Sequence, residues 1–265
     1  MSLLQAFILG VVQGITEYFP ISSTAHLILV SNILGWHFTE QETFLFAILV
    51  QLGTLVGVIF YFFYDIKNIF NVFLKKNKSK NCCKIYFYLL VLSTLPAVIF
   101  GFSFKHKLIY FFSSPKSTIL FLFLTAAMLI ICEFIRKKCH NNIKLLDAFL
   151  MGLAQALALF PGISRSGVTI SVGIICGLKK ESAAKFSFLM SIPIILAASF
   201  LALKNIFVYS NNISHIILPI FVGFFSAAIS GYFAIKWFLN FIKNQSLLWF
   251  ASYCLVVGVI GLIFI

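Results

Sequence analysis

Two polar side chains interrupt an apolar stretch near the start of the chain in a pattern that indicates metal or proton chemistry. Gln13 and Glu17 are four residues apart, so a helix places them on one face. A carboxylate inside a membrane helix costs roughly 2.5–3.5 kcal/mol by insertion scales and is seldom kept without a partner. Glu17, with Gln13, is therefore predicted to bind a hard divalent cation, Mg²⁺ or Ca²⁺, or to orient a catalytic group. The alternative is a Glu17 carboxylate that lies at the membrane interface and is only hydrated.

A run of hydroxyl side chains and a histidine follows, in the segment Pro20–His26. Ser and Thr cap the free N–H groups at the start of a helix, and the same N–H groups can hold a phosphate. Ser23 and His26 are three residues apart, so His26 could act as the base that makes Ser23 a nucleophile. We predict Ser23 as the nucleophile, with phosphate contacts from Ser22 and Thr24. The alternative is direct attack by an activated water, with Ser23 only binding phosphate.

A second polar break, Pro161–Gly167, contains an arginine. Arginine at membrane depth requires an anionic partner or a water-filled cavity, and its planar guanidinium matches phosphate in a bidentate way. We therefore predict that Arg165 binds phosphate. A structural ion pair between Arg165 and Glu17 is the alternative, and it would still bring the two polar segments together. The further phosphate contacts predicted in this segment are Gly162, Ser164 and Ser166.

The elements that must position these residues are membrane helices. Of the 265 residues, 61% are hydrophobic and only 10% are charged, with a mean hydropathy of +1.05, whereas soluble domains carry about 25% charged residues. This composition predicts an all-α polytopic membrane protein. The net charge of +13 then reflects basic loops rather than binding to nucleic acid. Six apolar runs are long enough to cross a bilayer, which takes about 20 residues: 44–64, 86–104, 117–135, 184–204, 214–236 and 246–265.

Two further apolar stretches, residues 2–35 and 145–178, are each interrupted by one of the polar motifs. Their halves are too short to cross the roughly 30 Å hydrocarbon core. Broken helices at this depth are tolerated only where protein or a cavity satisfies the freed backbone groups. The prediction is two re-entrant helix–loop–helix hairpins beside six transmembrane helices.

The chain also repeats itself, since Leu3–Phe7 resembles Leu145–Phe149. The same offset gives further matches: Gly10 with Gly152, Gln13 with Gln155, and Ile21-Ser22 with Ile163-Ser164. We predict a single membrane domain, residues 1–265, that consists of inverted repeats of approximately 1–135 and 143–265. Inverted repeats of this kind place their sites near the midplane. The two hairpin tips, Pro20–His26 (the first tip) and Pro161–Gly167 (the second tip), should meet there.

Basic residues decide the predicted orientation. The loops 65–85 and 136–144 and the segment 179–185 hold most of the 20 Lys and Arg residues, and all three lie on one side of the six-span arrangement. That side is therefore cytoplasmic, and both termini face outward. Inverted repeats with broken helices are also typical of transporters. A lipid flippase or anion transporter is therefore the rival function, although it needs no Ser–His pair beside a carboxylate.

Together these motifs resemble the undecaprenyl-diphosphate phosphatase (bacitracin-resistance protein) family, essentially end to end. The elements that carry the resemblance are Gln13-x-x-x-Glu17, Pro20–His26, Gln51–Gly53, Pro161–Gly167 and Phe186–Phe188. It implies hydrolysis of undecaprenyl diphosphate to undecaprenyl phosphate and inorganic phosphate. It also implies a divalent metal and a site toward the outer face of the bacterial inner membrane. By resemblance, the first tip supplies the acidic and hydroxyl catalytic residues and Arg165 grips the diphosphate. The sequence leaves open whether the protein forms a homodimer.

The sequence departs from the family pattern at three positions. Ala25 stands where the family usually has Gly, which restricts the backbone at the first tip. Gln13 stands where many members carry Glu, which removes a negative charge and weakens the case for a metal. Ala47 stands where an acidic residue is expected, and nothing in the sequence explains that change.

Overall fold

The computed structural model describes residues 1–74, 81–104, 114–135, 139–209 and 217–264, and within these ranges the chain forms helices and no strand. The helices are α1 (Leu3–Tyr18), α2 (Ser23–Ile33), α3 (Glu40–Tyr61), α4 (Phe63–Leu74), α5 (Asn81–Ser103), α6 (Pro115–Phe134), α7 (Leu145–Leu157), α8 (Arg165–Ile175), α9 (Lys180–Tyr209), α10 (Ile217–Asn244) and α11 (Leu248–Phe264). The predicted all-helical class is confirmed for the part of the chain described.

Four of these helices, α5, α6, α9 and α10, are long and apolar enough to cross a membrane. The pair α3–α4 counts as a fifth candidate, although it is bent by 74°. The last predicted span, 246–265, corresponds to α11, whose 17 residues lie at the short end of the roughly 17–25 that can cross a bilayer. Helix length and composition therefore support a multi-pass membrane protein, with four or five candidate spans among the described residues.

The prediction of a loop over residues 65–85 was wrong at both ends, because α4 occupies Phe63–Leu74 and α5 begins at Asn81. Its apolar residues recur at helical spacing, so Ile69 is buried while Phe70 is exposed. Asp65 lies in the first turn, where a carboxylate favours the helix N-terminus, and it accepts from Lys185 Nζ at 2.7 Å. Residues 75–80 of the predicted loop lie outside the described residues.

Both polar motifs lie where two short helices meet and extend into the second helix of each pair, α1–α2 and α7–α8. In the first pair, α1 ends at Tyr18 because the next residue precedes Pro20 and adopts an extended conformation. The chain then turns through Ser22, which caps α2. In the second pair, Ser164 caps α8. The helices have 16, 11, 13 and 11 residues, so each is too short to span a bilayer.

The two hairpins pack reciprocally against the spans. Helix α1 packs along α10, and α7 packs along α5. The repeat-matched glycines lie at these contacts. A Cβ on Gly10 would come within 2.4 Å of the Gly223 carbonyl oxygen, and one on Gly152 within 2.6 Å of the Ser93 carbonyl oxygen. Each half thus receives the first helix of the other half at equally close backbone distance, as a twofold relation between repeats would require.

Aromatic packing fixes the first tip in place. The Tyr18 ring is fully buried and contacts Phe188 edge-on at 5.1 Å. Phe19 packs against Trp237 at 5.2 Å and Phe250 at 5.6 Å. Helices α9, α10 and α11 therefore hold the end of α1 on three sides, and the polar residues beyond it are supported by a rigid core.

Candidate active site

The carboxylate of Glu17 is the centre of the polar site, at the buried end of α1. Its Oε1 atom accepts from Arg165 Nη2 at 2.9 Å and from Gln51 Nε2 at 3.4 Å. Its Oε2 atom accepts from Gln13 Nε2 at 2.7 Å and from Ser23 Oγ at 2.8 Å. The structure thus brings the two predicted motifs into direct contact, and the alternative Arg165–Glu17 ion pair is formed.

The N-termini of two helices meet at this carboxylate. Ser23 is the first residue of α2, Arg165 is the first residue of α8, and both bind Glu17. The first turn of a helix has N–H groups without intrahelical partners and carries a partial positive charge. Two such ends beside an arginine are groups that favour a multiply charged anion.

One nitrogen of the Arg165 guanidinium has no hydrogen-bond partner. Nη2 binds Glu17, but Nη1 is buried without a hydrogen bond. The side chain is only 13% exposed, and its carbon Cζ lies 5.8 Å from the centre of the Tyr18 ring. A buried, unpaired N–H on a charged group is costly, so it indicates a ligand that completes the hydrogen bonding.

The predicted pairing of Ser23 with His26 is not formed. Ser23 Oγ donates to Glu17, while His26 Nδ1 lies 2.7 Å from the Ser22 carbonyl oxygen and Nε2 lies 2.9 Å from the Tyr253 hydroxyl. Both ring nitrogens are therefore engaged away from Ser23. The three-residue spacing correctly placed Ser23 and His26 on one short helix. Hairpin packing, however, brings the Glu17 carboxylate closer to the Ser23 hydroxyl.

The other two hydroxyl residues of the first tip, Ser22 and Thr24, differ in their surroundings. Ser22 is buried and caps α2 by accepting from the Ala25 N–H at 3.5 Å. Its φ of +66° lies in the left-handed region, which is rare for residues other than glycine and often marks functional sites. Thr24 lies in the first turn of α2 and is partly exposed. Thr24 is therefore the more accessible of these two predicted phosphate contacts.

The three predicted phosphate contacts of the second tip, Gly162, Ser164 and Ser166, are all engaged in contacts within the protein. Ser164 Oγ caps α8 by accepting from the Gly167 N–H at 3.1 Å. Ser166 Oγ donates to the Phe19 carbonyl oxygen at 2.9 Å, which joins the second tip to the first. Gly162 has a φ of +98°, and a Cβ there would lie 2.0 Å from the Thr118 carbonyl oxygen. These contacts give all three residues a structural role, and their phosphate contacts stay a prediction.

Two residues near the site received no role from the sequence. Gln51 lies on α3 and donates to Glu17, and the signal for it was an amide in an apolar helix within one of the family elements. Tyr253 lies on α11 and contacts His26. Nothing in the local sequence distinguishes it from any other tyrosine in a membrane helix.

The donors present fit a cation that is held mainly by its substrate. Among the described residues, no group of three or more His, Cys, Asp and Glu side chains could hold a metal ion. Glu17 supplies one carboxylate, and Gln13 donates to it through its amide nitrogen, which leaves the amide oxygen of Gln13 as the other candidate ligand. Mg²⁺ commonly takes one or two protein carboxylates and completes its shell with phosphate oxygens and water, so this sparse set suits an ion that arrives with a diphosphate.

Comparison with known proteins identifies relatives over nearly the whole chain. The family model described as bacitracin resistance protein BacA matches residues 6–260. The chain is 40% identical over 263 residues to the undecaprenyl-diphosphatase of Carboxydothermus hydrogenoformans, covering 98% of this chain and 96% of the relative. It is 38% identical over 266 residues to that of Oceanobacillus iheyensis, covering 98% and 95%. It is 39% identical over 259 residues to that of Caldicellulosiruptor bescii, covering 96% and 94%.

Proposed function

Because the chain belongs to the bacitracin resistance protein BacA family, we propose that its paired hairpin tips hydrolyse undecaprenyl diphosphate to undecaprenyl phosphate and inorganic phosphate. The enzyme is an undecaprenyl-diphosphatase, and its reaction returns the lipid carrier for cell-wall synthesis and gives resistance to bacitracin. The observation that carries the assignment of the site is the half-satisfied Arg165 at the junction of two helix N-termini.

The diphosphate is the part of the substrate that the site is built to bind. Arg165 Nη1 donates to a phosphate oxygen, and the first turns of α2 and α8 supply free N–H groups to others. Thr24 is partly exposed beside Ser23 and adds a hydroxyl. Phosphoryl transfer needs positioning and charge stabilisation above all, and these groups provide both where water is scarce.

Ser23 is placed to attack the terminal phosphorus. Its hydroxyl already donates to Glu17 at 2.8 Å, so Glu17 rather than His26 takes the proton as the new P–O bond forms. The anhydride bond then breaks and undecaprenyl phosphate leaves. Water hydrolyses the phosphoserine, releases inorganic phosphate and restores the hydroxyl. In the alternative course, Glu17 activates a water that attacks phosphorus directly, and Ser23 only binds phosphate.

A divalent cation, Mg²⁺ or Ca²⁺, would be held by Glu17 and by the amide oxygen of Gln13. It would neutralise charge on the diphosphate oxygens and so make the leaving phosphate a weaker base. Arg165 and Gln51 have the same roles whether or not the cation is bound. Arg165 orients the diphosphate, and Gln51, through its hydrogen bond, keeps the Glu17 carboxylate turned toward the site.

We place the enzyme in the bacterial inner membrane, with six transmembrane helices, two re-entrant hairpins and a site that opens toward the outer face. The uneven distribution of Lys and Arg supports this orientation. The reciprocal packing of α1 on α10 and α7 on α5 supports inverted repeats of approximately 1–135 and 143–265. A polar site formed by two half-helix tips agrees with the midplane sites of other inverted-repeat proteins.

Lipid flipping and anion transport are not favoured. The relatives named above are undecaprenyl-diphosphatases, and this chain matches them over nearly their whole length. A transport site also has no need for a serine hydroxyl bound to a buried carboxylate, as Ser23 is to Glu17.

The test is phosphate release by purified protein in detergent, where no gradient exists to drive transport. Wild-type protein should release phosphate from a C55 diphosphate, and Ser23→Ala should slow kcat by at least about a hundredfold if the nucleophile is lost. Thr24→Ala, the matched control on the next residue, should cost only about tenfold. Folded Ser23→Ala protein with a third or more of wild-type turnover would establish the direct-water course. A wild type that releases no phosphate in detergent would contradict the hydrolase assignment.

A further inference from the structure

A chain of hydrogen bonds connects the last helix to the first hairpin tip. The Ser22 carbonyl oxygen can only accept, so His26 Nδ1 at 2.7 Å must carry the proton and donate. In a neutral imidazole Nε2 is then the acceptor, and the Tyr253 hydroxyl at 2.9 Å donates to it. The two rings also stack, with centres 5.5 Å apart and planes 6° apart. The tautomer and the direction of both hydrogen bonds therefore follow from a single carbonyl.

These hydrogen bonds end at Ser22, the residue of the first tip whose backbone is strained. Ser22, with its φ of +66°, immediately precedes Ser23. Strained backbone persists only where its surroundings over-determine it. Within the tip, the Ser22 hydroxyl makes only a long contact to the Ala25 N–H, at 3.5 Å. The His26 imidazole is a shorter and more directional constraint on the same residue.

A second contact from α11 reaches the same turn. Cys254, next to Tyr253, places its thiol 3.6 Å from the Pro20 carbonyl oxygen. Helix α11 thus contacts the turn at two points. Cys254 contacts it directly at Pro20, and Tyr253 contacts it at Ser22 through the His26 imidazole. Because α11 lies far from the first hairpin in sequence, this arrangement exists only in the folded protein.

We propose that Tyr253, acting through His26, is a positioning residue that holds the Ser22 carbonyl and thereby directs the Ser23 hydroxyl at phosphorus. This inference rests on the proposed role of Ser23. It assigns to His26 a mechanical task in place of the proton transfer that its spacing suggested. Tyr253 is 44% exposed, so its ring lies at the surface of the helix bundle, and its hydroxyl is the group that holds the His26 imidazole.

Tyr253→Phe keeps the stacked ring and removes only the hydroxyl. Losing one positioning hydrogen bond should lower kcat by about tenfold and change KM by less than about twofold. His26→Phe, which keeps a ring and removes both nitrogens, should lower kcat at least as much. The double variant should be no slower than His26→Phe alone, because Tyr253 acts through His26. Tyr64→Phe, at a tyrosine on α4 that is 78% exposed, is the matched control and should behave as wild type.

The double-variant measurement separates this relay from a merely structural role. If the two losses multiply, Tyr253 acts independently of His26 and the relay is wrong. A Tyr253→Phe protein with wild-type kcat overturns the relay and leaves the proposed function intact, since Ser23→Ala tests that function separately.

A second measurement does not depend on turnover. ¹⁵N NMR of histidine-labelled protein should show His26 protonated at Nδ1, and Tyr253→Phe should shift its Nε2 resonance. Protonation of the neutral ring at Nε2 instead would overturn the proposal even if a variant folds poorly.

Discussion

At the scale of the residue, the buried Glu17 carboxylate gathers donors from three helices, since Gln13 belongs to α1, Ser23 to α2 and Gln51 to α3. Arg165 adds the only one of these contacts that crosses between the two hairpins. Its guanidinium joins the tips through Nη2, and in the proposed function the unpartnered Nη1 binds the substrate. The ion pair and the phosphate site, which were alternatives at the level of sequence, are therefore compatible functions of one side chain.

Arg165→Lys tests this shared use. Lysine keeps the positive charge but cannot bind Glu17 and phosphate with a planar fork. We expect kcat/KM to fall roughly ten- to a hundredfold, since hydrogen bonds to charged groups contribute about 1.5–3 kcal/mol. Steady-state phosphate release from the C55 diphosphate measures this. Activity of Arg165→Lys close to wild type would disprove the simultaneous binding of Glu17 and phosphate by one guanidinium.

Gln13→Glu tests the proposed cation site. It replaces an amide that donates to Glu17 at 2.7 Å with a carboxylate one helical turn away. Two carboxylates at this spacing repel unless a cation lies between them, so Mg²⁺ and Ca²⁺ should bind more tightly. Isothermal titration calorimetry on the purified protein reports the change without turnover. If Gln13→Glu and the comparison variant Gln51→Glu both leave the affinity for Mg²⁺ and Ca²⁺ unchanged, no cation binds beside Glu17.

At the scale of the element, the hairpins depend on close backbone contacts that side chains would prevent. The second tip crosses α6 at Gly162, where a Cβ would overlap the Thr118 carbonyl oxygen. The same α6 also binds this tip through Thr125 Oγ1, which accepts from the Ser164 N–H at 2.9 Å. Helix α6 thus supports the second tip, as α11 supports the first.

Gly162→Ala should therefore destabilise the protein by more than its backbone strain alone. Gly35→Ala is the matched control, because Gly35 also has a positive φ, +63°, but a Cβ there meets nothing within 4 Å. Strain should cost about 1–2 kcal/mol at either site, and overlap with a backbone oxygen should add about 1–3 kcal/mol at Gly162. Thermal unfolding in detergent should give a clearly lower Tm for Gly162→Ala. Equal Tm values for the two variants would show that the second tip can move away from α6.

At the scale of the whole molecule, the proposed orientation predicts which loops meet the outside medium. His37 and Asn141 are both exposed and lie on opposite sides of the proposed membrane arrangement. In a background without native cysteines, a membrane-impermeant thiol reagent on intact cells should label His37→Cys and spare Asn141→Cys. Both should react after the cells are permeabilised. The opposite pattern in intact cells would invert the arrangement, and labelling of both would contradict an odd number of crossings between them.

Much of this architecture was predictable because it depends on local composition. Apolar runs long enough for a bilayer predicted helices at α5, α6, α9 and α10, and all four were found. The bend between α3 and α4 was not predicted, since no proline or glycine marks it and the apolar pattern continues through it. The family assignment from the two motifs is confirmed, whereas the roles of the site residues stay predictions.

The sequence by itself determined that the chain is a membrane protein, which residues are too polar for their surroundings, and that Glu17 and Arg165 belong to one site. Each follows from the cost of placing charge in an apolar medium, a cost that depends on residue type. Only the tertiary structure decided the partners. Ser23 binds Glu17 instead of His26, and His26 is held by Tyr253. Motif spacing specifies neighbours within one or two helical turns, whereas contacts between distant segments arise when whole helices pack, and no local pattern encodes them.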